Sequence, residues 1–430
     1  MRSLALRLSP ALFSVGLACR PPTPTAQPVE PDQFGPMGAP EAFLTEVPFE
    51  RDLGLVIVEV QLAGLDRPSR LIIDSGAPTV LRSEVAVELG LAQMEPVTGT
   101  DPAGRAVVAS PILIPSLTIG ELEVTDVAAV ALELPLLDGF CEPVDGLLGV
   151  GLDLGSGFLD RVAVEIDPTA KMVRLADRGK KLAAGGHRLP LRREWIEDDG
   201  EERTVTAMHV QIRVGDQPLW IKLDTGNNAS TDVPHGVFRA LGYTLTADNS
   251  VERFGSASAS AAGRSEERTW VSRLRDVGLG DYTMATMPVS VTSNESDRSE
   301  DVLLGQDVLR HFTVVIDHPA RQLRLIPAAT PPAIDPEPEL GFGWSVVGEQ
   351  VAVISLLDKG GAARAGIQLG DEVLVAGGID LSEHGQATVC EARAAQRDIE
   401  GPVPFRLRRD GREFEVAVQR RSPLASTPSN

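Results

Sequence analysis

The 430-residue chain is poor in the residues that build several common kinds of functional site. Aromatic residues make up only 4% of it, so we expect recognition through backbone groups and aliphatic pockets rather than through stacking. The six histidines are scattered and form no His-x-x-x-His pair, which gives a zinc site little support. The absence of a Gly-x-Ser-x-Gly motif disfavours a serine hydrolase of that type. We therefore expect neither a metal nor a cofactor.

Basic residues are also in the minority. The formal net charge is −21, the sequence pI is about 4.8, and no basic stripe stands out. Nucleic acid is accordingly excluded as an expected partner. The acidity otherwise bears on solubility rather than on fold.

Cysteine is scarce, with three residues in the whole chain. Cys141 and Cys390 fall in different predicted domains, so a structural disulfide between them is disfavoured. A nucleophilic role for Cys141 lacks a matching histidine pattern. We expect a buried or half-buried free thiol there.

The first 19 residues are too short for an ordinary transmembrane helix but have the features of an export signal. Arg2 and Arg7 precede a short apolar stretch, and small Ala18 precedes Cys19. This ending resembles a bacterial lipobox, in which Cys19 would be lipidated. Cleavage as a plain signal peptide is the alternative. The Pro-rich residues 20–42 are expected to form an extended tether.

Two short stretches share an apolar, β-prone run that ends in Asp, followed by a hydroxyl residue and Gly. They are Leu71–Ala77 and Ile221–Asn227. An Asp at the end of a buried strand is unfavourable unless it is paired or neutralised. Gly permits a tight turn, and Ser or Thr can hydrogen-bond near the carboxylate. One copy alone would favour an ordinary turn, because all three residue types are common in turns.

Matching sequence follows both copies. Val144–Gly149 and Asp301–Gly305 each contain Leu-Leu-Gly, and they are followed by the strand-like runs Val162–Asp167 and Phe312–Asp317. Chance turns would not be followed twice by the same series of segments. The pattern indicates internal duplication of a whole folding unit.

These duplicated motifs resemble those of the bacterial retropepsin-like aspartic proteases, here as two fused units with a C-terminal PDZ-like domain. The resemblance implies a mainly β fold of two pepsin- or retropepsin-like closed β-barrel units in a pseudo-twofold arrangement, plus a small α+β PDZ-like domain. The predicted segments are a signal peptide (1–19), tether (20–42), unit 1 (43–178), connection and unit 2 (179–327), linker (328–339), PDZ-like domain (340–421) and disordered tail (422–430).

The same resemblance implies that Asp74 and Asp224 are the catalytic carboxylates and meet at the pseudo-twofold axis. They would share one proton and activate a water between them. A pair within one chain implies a monomer. Two further sets are implied, namely catalytic-loop support from Ser75, Gly76, Thr225 and Gly226, and close packing beneath the loops by Gly149 and Gly305.

Two segments are candidates for a mobile cover over this pair. Thr98–Gly104 lies between β-prone flanks, as in a hairpin, and Phe254–Gly263 is a run of mostly small residues at the equivalent place in the second copy. Short helices are predicted over Ser83–Leu89 and His235–Leu241. The charged, aperiodic Arg178–Arg203 is predicted to connect the units.

From Leu340 onward the pattern changes, and Gly360–Leu374 is similar to the signature of PDZ domains in bacterial envelope proteases. In that family a peptide C-terminus binds a Gly-rich loop and adds a strand to the sheet edge. A PDZ-like spacer without a ligand is the alternative. The resemblance implies peptide binding by Leu340, Gly341, Phe342, Gly343 and Trp344.

Two hypotheses on function follow. The first is an exported, lipid-anchored aspartic endopeptidase of the cell envelope that acts on peptides or unfolded proteins. The second is a non-catalytic peptide-binding envelope lipoprotein built on a degenerate protease scaffold. The two intact motifs favour the first, because a scaffold gains nothing from two buried acids.

Overall fold

The computed structural model describes residues 43–100, 105–151, 157–177, 181–198, 201–228, 231–255, 258–260, 263–265, 268–327, 334, 338–382 and 385–424. The chain is mainly β within these ranges, with a few short helices. The predicted signal peptide, the tether and most of the Pro-rich linker therefore lie outside the described residues. Within the described part of the chain, no helix is long and apolar enough to cross a membrane.

Strands make up most of the first part of the chain, up to residue 177. They are β1 (Leu44–Pro48), β2 (Glu50–Asp52), β3 (Leu55–Leu62), β4 (Ser69–Pro78), β5 (Val80–Arg82), β6 (Val97–Thr100), β7 (Ala106–Ile119), β8 (Leu122–Leu132), β9 (Gly146–Val150), β10 (Ala163–Asp167) and β11 (Met172–Ala176). Helix α1 covers Ser83–Glu88, which confirms the helix predicted there.

The second part repeats this plan. Its strands are β12 (His187–Asp198), β13 (Glu201–Val214), β14 (Gln217–Leu223), β15 (Asp232–Pro234), β16 (Val251–Gly255), β17 (Ser258–Ser260), β18 (Gly263–Ser265), β19 (Thr269–Leu279), β20 (Tyr282–Thr292), β21 (Leu303–Leu304), β22 (Phe312–Asp317) and β23 (Gln322–Pro327). Its helices are α2 (His235–Ala240), as predicted from the sequence, and α3 (Gln306–Leu309).

A third, smaller part follows residue 338. It contains β24 (Phe342–Val347), β25 (Gln350–Leu357), α4 (Gly361–Arg364), β26 (Glu372–Ala376), β27 (Ile379–Asp380), α5 (Gln386–Arg397), β28 (Val403–Arg409) and β29 (Arg412–Val418). Short 3-10 helices elsewhere cover Pro135–Gly139, Leu159–Arg161 and Ser299–Asp301.

Each of the three parts has its own hydrophobic core. Buried aliphatic residues of β3, β4, β7 and β8 form the first, those of β13, β14, β19 and β20 form the second, and those of β25, β26 and β28 with α5 form the third. In β3 the alternation that begins at Val58 places apolar side chains inward and Glu59 and Gln61 outward, as a strand with one solvated face requires. Ile334 packs against the second core.

The two repeats join through β10 and β22, which pair in antiparallel fashion. Glu165 lies opposite Val315, and the same separation of 150 residues divides Ser75 from Thr225 in the two motifs. An antiparallel pair between equivalent strands creates a local twofold axis at its centre. The register of β10 and β22 therefore gives this strand pair a local twofold axis.

The predicted connection Arg178–Arg203 contains a strand that sequence analysis missed. Strand β12 pairs at His187–Pro190 with β23 and continues into pairing with β13. Its many charged residues hid the strand, because the hydrophobic alternation that indicates a strand is weak there. The segment thus belongs to the sheet of the second repeat.

The prediction of a free thiol at Cys141 is wrong. Cys141 and Cys390 form a disulfide with a Cα–Cα distance of 5.4 Å, and 249 residues separate the two cysteines in sequence. The prediction failed because it treated the first repeat and the C-terminal part as independent domains, whereas the fold packs them side by side.

Gly149 provides a test of how tightly the repeat is packed. A Cβ atom at this position would lie 2.2 Å from the Ala77 carbonyl oxygen and 2.6 Å from the Pro78 carbonyl carbon. We expect Gly149→Ala to lower the free energy of unfolding by about 1–3 kcal/mol or more, because the backbone atoms of Ala77 and Pro78 cannot rotate away from the added Cβ. Urea unfolding measures the change.

Gly139→Ala is the matched control. The nearest atom to a Cβ there is Leu53 Cδ1, at an ordinary contact distance of 3.9 Å. This change should alter the unfolding free energy by less than about 0.5 kcal/mol. Equal effects of the two substitutions would contradict the close packing of Gly149.

Candidate active site

The two motif aspartates are carried by equivalent strands. Asp74 is within β4, and Asp224 directly follows β14. Strand β4 pairs in parallel with β9, and β14 pairs in parallel with β21, so each Leu-Leu-Gly segment runs beside its motif. Each aspartate is 8% exposed. Their carboxyl groups are therefore largely removed from water but retain an opening to it.

Reciprocal hydrogen bonds tie the two motif loops together. The Ser75 N–H donates to Thr225 Oγ1 (2.9 Å), and Thr225 Oγ1 donates to the Ile73 carbonyl (2.8 Å). In the opposite direction, the Thr225 N–H donates to Ser75 Oγ (3.2 Å), which donates to the Leu223 carbonyl (3.0 Å). Both hydroxyl residues are fully buried. The loops cannot separate without leaving buried polar groups unpaired.

This connection brings the two carboxyl groups to one place. A Cβ added to Gly76 would lie 2.6 Å from Asp224 Cγ, and one added to Gly226 would lie 2.2 Å from Asp74 Oδ2. Each glycine thus leaves room for the carboxylate of the other repeat. The structure therefore brings together all six residues of the two Asp-Ser/Thr-Gly motifs.

Burial and mutual repulsion disfavour a double negative charge. The pKa of Asp74 is raised from 3.8 to about 7, first by burial and second by the charge of Asp224. Hydrogen bonds to the carboxylate oppose this shift, with the Gly76 N–H donating to Asp74 Oδ1 at 2.8 Å. The Gly226 N–H donates to Asp224 Oδ1 at 3.0 Å. Such a pair can hold one proton and one negative charge against a shared water.

Both predicted packing glycines lie at the motif loops. Gly149 passes against Ala77 and Pro78, and its carbonyl and N–H contact Thr79 Oγ1 at 3.0 and 3.2 Å. Gly305 immediately precedes α3. Neighbouring Leu304 accepts a hydrogen bond from the Asp224 N–H at 3.2 Å.

Several supporting residues were missed by sequence analysis. Gln306 is buried, and its Nε2 donates to the Thr225 carbonyl at 2.9 Å. Arg51 NH1 donates to Gln306 Oε1 at 3.3 Å, which links the first repeat to the second motif. Asp307 accepts bonds from Thr231, and burial raises its pKa to about 6. A glutamine after Leu-Leu-Gly carries no pattern that indicates this role.

A buried lysine also lies beside the pair. Lys222 is 2% exposed, and its Nζ lies 3.9 Å from Asp224 Oδ2. It stands two residues before the aspartate in the second motif. The sequence places this lysine within the motif, but only the structure shows that its side chain is buried beside Asp224.

The two candidate covers contain the expected strands. Strands β6 and β7 form a hairpin, although its predicted tip at 101–104 lies outside the described residues. In the second repeat, β16 leads toward a ribbon formed by β17 and β18. Arg105, beside the first hairpin, donates from NH2 to the Gly263 carbonyl of that ribbon at 2.8 Å. The two covers therefore touch each other.

The residues predicted to bind peptide termini open the C-terminal part. Gly341 has φ +82°, and its carbonyl accepts the Leu357 N–H at 2.8 Å. The Leu340 carbonyl accepts the Ala362 N–H at 2.9 Å. Phe342, Gly343 and Trp344 then form the first half of β24, which pairs with β25. These contacts fix the loop without showing what it binds.

One face of α5 is turned toward the first repeat. Gln386 Nε2 and Arg393 NH1 both donate to the Gly139 carbonyl, at 2.8 and 3.0 Å, and Cys390 between them forms the disulfide with Cys141. The Arg393 guanidinium also lies over the Trp344 ring of β24. The C-terminal part is thus fixed to the first repeat beside the predicted peptide loop.

The remaining predicted site residue, Cys19, lies outside the described residues. Across the described ranges, no group of three or more His, Cys, Asp or Glu side chains could hold a metal ion.

The chain is similar in sequence to one known protein family. The sequence model of the aspartyl protease family matches it twice, at residues 58–152 and 210–308. Each match contains one motif aspartate and one Leu-Leu-Gly segment. The chain thus carries two aspartyl-protease-like units.

Two solved structures are similar at low identity. An aspartic proteinase from Irpex lacteus is 15% identical, with 68% of this chain and 99% of that chain covered and a TM-score of 0.41. Basic 7S globulin from soybean is 12% identical, with 66% and 94% covered and a TM-score of 0.36. Among curated protein sequences, none matches this chain significantly.

The raised pKa of Asp74 predicts a pH dependence of stability. Because the folded protein binds this proton more tightly than the unfolded chain, the contribution is complete below about pH 4 and is lost as the pH rises through about 7. We expect the free energy of unfolding, measured in urea, to fall over this range. In Asp74→Asn the fall should be smaller.

The raised pKa of Asp307 acts in the same direction in both proteins, so their difference isolates Asp74. Parallel stability curves for the two proteins would show that Asp74 titrates as an ordinary, solvated carboxyl group.

Proposed function

We propose that the protein is an aspartic-type endopeptidase. The observation that carries this proposal is the reciprocal hydrogen bonding of Ser75 and Thr225, which holds Asp74 and Asp224 against each other. A pair of buried acids is unfavourable for folding unless it serves a purpose. The double match to the aspartyl protease family supports the same conclusion.

The proposed reaction is hydrolysis without a covalent intermediate. A water lies between the carboxyl groups, and the ionised one accepts a proton as the water oxygen attacks the scissile carbonyl carbon. The protonated carboxyl group donates to the carbonyl oxygen, which gives a tetrahedral diol. Collapse of the diol breaks the C–N bond, as the amine leaves with the proton taken up from water and the other carboxylate accepts a proton from a diol hydroxyl, which restores the pair. Acid–base assistance of this kind contributes about 10²–10⁴-fold to the rate.

The architecture proposed for this activity is a pseudo-twofold pair of barrel-like units. In the first repeat, β3 pairs with both β4 and β7, which supports a sheet that curls toward closure. The substrate would be a peptide or unfolded protein lying across the pair, beneath the hairpin and the ribbon. An intramolecular pair supports activity as a monomer.

The C-terminal part is proposed to be a PDZ-like module that binds peptide or substrate termini. Its sheet of β24–β29 flanked by α4 and α5, with Gly341 in a left-handed conformation at the predicted loop, supports this assignment. The basic and apolar residues that precede Cys19 support export, and we propose lipid anchoring in a bacterial envelope.

Substitution of either acid tests the proposed reaction. We expect Asp74→Asn and Asp224→Asn each to lower the rate of casein cleavage at least about 10²-fold, because neither variant can supply both an acid and a base. Peptide release across acidic to neutral pH measures the rate.

Asp66→Asn is the control, since Asp66 is exposed and belongs to the loop before β4. It should cleave casein at the wild-type rate. Near-normal cleavage by either motif variant would exclude the carboxylate pair as the catalyst. Absence of cleavage by the folded wild type would favour peptide capture without hydrolysis.

A further inference from the structure

We infer that Lys222 is a positioning residue that holds Asp224 ionised, so that the single proton of the pair resides on Asp74. This inference rests on the proposed function, and it assigns the roles within the pair. Asp224 becomes the base that accepts the proton of the water. Asp74 becomes the acid that donates to the scissile carbonyl.

The position of Lys222 on its strand carries the assignment. Successive side chains of a strand alternate between faces, so Lys222 and Asp224 project to the same side. The Lys222 ammonium lies 3.9 Å from Asp224 Oδ2 while the side chain is almost fully buried. A buried cation needs a negative partner, and Asp224 provides it. The ionised form of Asp224 is therefore favoured.

The first repeat has no such cation at the equivalent place. Ile72 stands two residues before Asp74, is 1% exposed and packs in an apolar cluster. The two repeats thus differ at a buried position two residues before each aspartate. Because Lys222 is nearer to Asp224, its charge distinguishes two otherwise equivalent acids.

Titratable groups around Lys222 include Asp224, which follows β14, His209, which is buried opposite it on β13, and Asp74 of β4. The 3-10 helix Ser299–Asp301 also packs against β14, and the Asp301 carboxylate accepts a hydrogen bond from Ser296 Oγ. The positive charge of Lys222 also lowers the pKa of Asp74, though less than burial and Asp224 raise it.

Lys222→Met tests the assignment, because methionine keeps a long side chain and removes the charge. An opposite charge within this distance lowers a carboxyl pKa by about 1–3 units. Both limbs of the pH profile of kcat/KM should therefore move to higher pH by about that amount. Lys222→Arg, which keeps the charge, should retain the wild-type limbs. A loss of kcat with both limbs unmoved would mean that Lys222 only fills space.

A second measurement does not require cleavage or a folded lysine variant. In ¹³C NMR of carboxyl-labelled aspartate, with the two signals assigned through Asp74→Asn and Asp224→Asn, Asp224 should remain ionised at pH values where Asp74 is protonated. The reverse order would overturn the inference even in an active protease. The expected order in an inactive protein would uphold the charge assignment and refute only the proposed function.

A second inference comes from the disulfide and the covers. We propose that Cys141–Cys390 is a thiol-sensitive latch that holds the cleft covered. The C-terminal module is bound to the second repeat, because its strand β25 pairs with β16, the strand that precedes the ribbon in the chain. Arg253 of β16 also forms an ion pair with Glu339 at 2.9 Å. Strand β16 and the module should consequently move together.

The module also contacts the first repeat. These contacts include the disulfide and the hydrogen bonds from Gln386 and Arg393 to the Gly139 carbonyl. The module therefore links β16 to the first repeat, through strand pairing at one end and the disulfide at the other. Reduction by a dithiol breaks the S–S bond, gives two thiols and oxidises the dithiol to its own disulfide. Only hydrogen bonds and packing then hold the module to the first repeat.

Dithiothreitol treatment tests the latch in the full chain. We expect reduction to raise kcat/KM for casein several-fold, and Cys141→Ser/Cys390→Ser to show the raised value without reductant and no response to it. Unchanged cleavage in both cases would overturn the proposal.

Hydrogen exchange supplies a readout that needs no activity. On reduction, amides of residues 135–143 and of β16 should exchange faster, whereas those of β10 and β22 should not change. Acceleration confined to residues 135–143 would show a local staple without coupling to the ribbon, and would also overturn the latch.

Discussion

The reciprocal hydrogen bonds between Ser75 and Thr225 are the constraint on which the site depends. Two carboxylates placed together in a poorly hydrated position repel each other, and this repulsion opposes the close approach of the two motif loops. Each hydroxyl meets both a donor and an acceptor of the opposite loop, so moving the loops apart would break four buried hydrogen bonds. These hydrogen bonds thus offset the electrostatic repulsion between the two carboxyl groups.

The pairing of β10 with β22 joins equivalent strands of the two repeats, and in each repeat the motif strand pairs in parallel with its own Leu-Leu-Gly segment. Symmetry of this kind yields two equivalent acids. Acid–base chemistry needs two different ones, and the difference must come from positions where the repeats diverge, as at Ile72 and Lys222.

Local pattern and repetition explain which features were predictable. The Asp-Ser/Thr-Gly motifs, the Leu-Leu-Gly segments and the helices after them depend on neighbouring residues, so a single sequence reveals them. The contacts of Gln306, the disulfide and the burial of Lys222 depend on which distant segments pack together. Strand β12 was missed for a different reason, since its charged side chains obscure the alternation that marks a strand.

The C-terminal part differs from an independent domain in how it is attached. It has its own core, yet its strand β25 extends the sheet of the second repeat and Cys390 bonds covalently to the first. The face of α5 that carries Gln386 and Arg393 is already in contact with Gly139. A peptide that approached α5 from this side would compete with a segment of the protein itself. This face of α5 is therefore part of the contact between the C-terminal part and the first repeat.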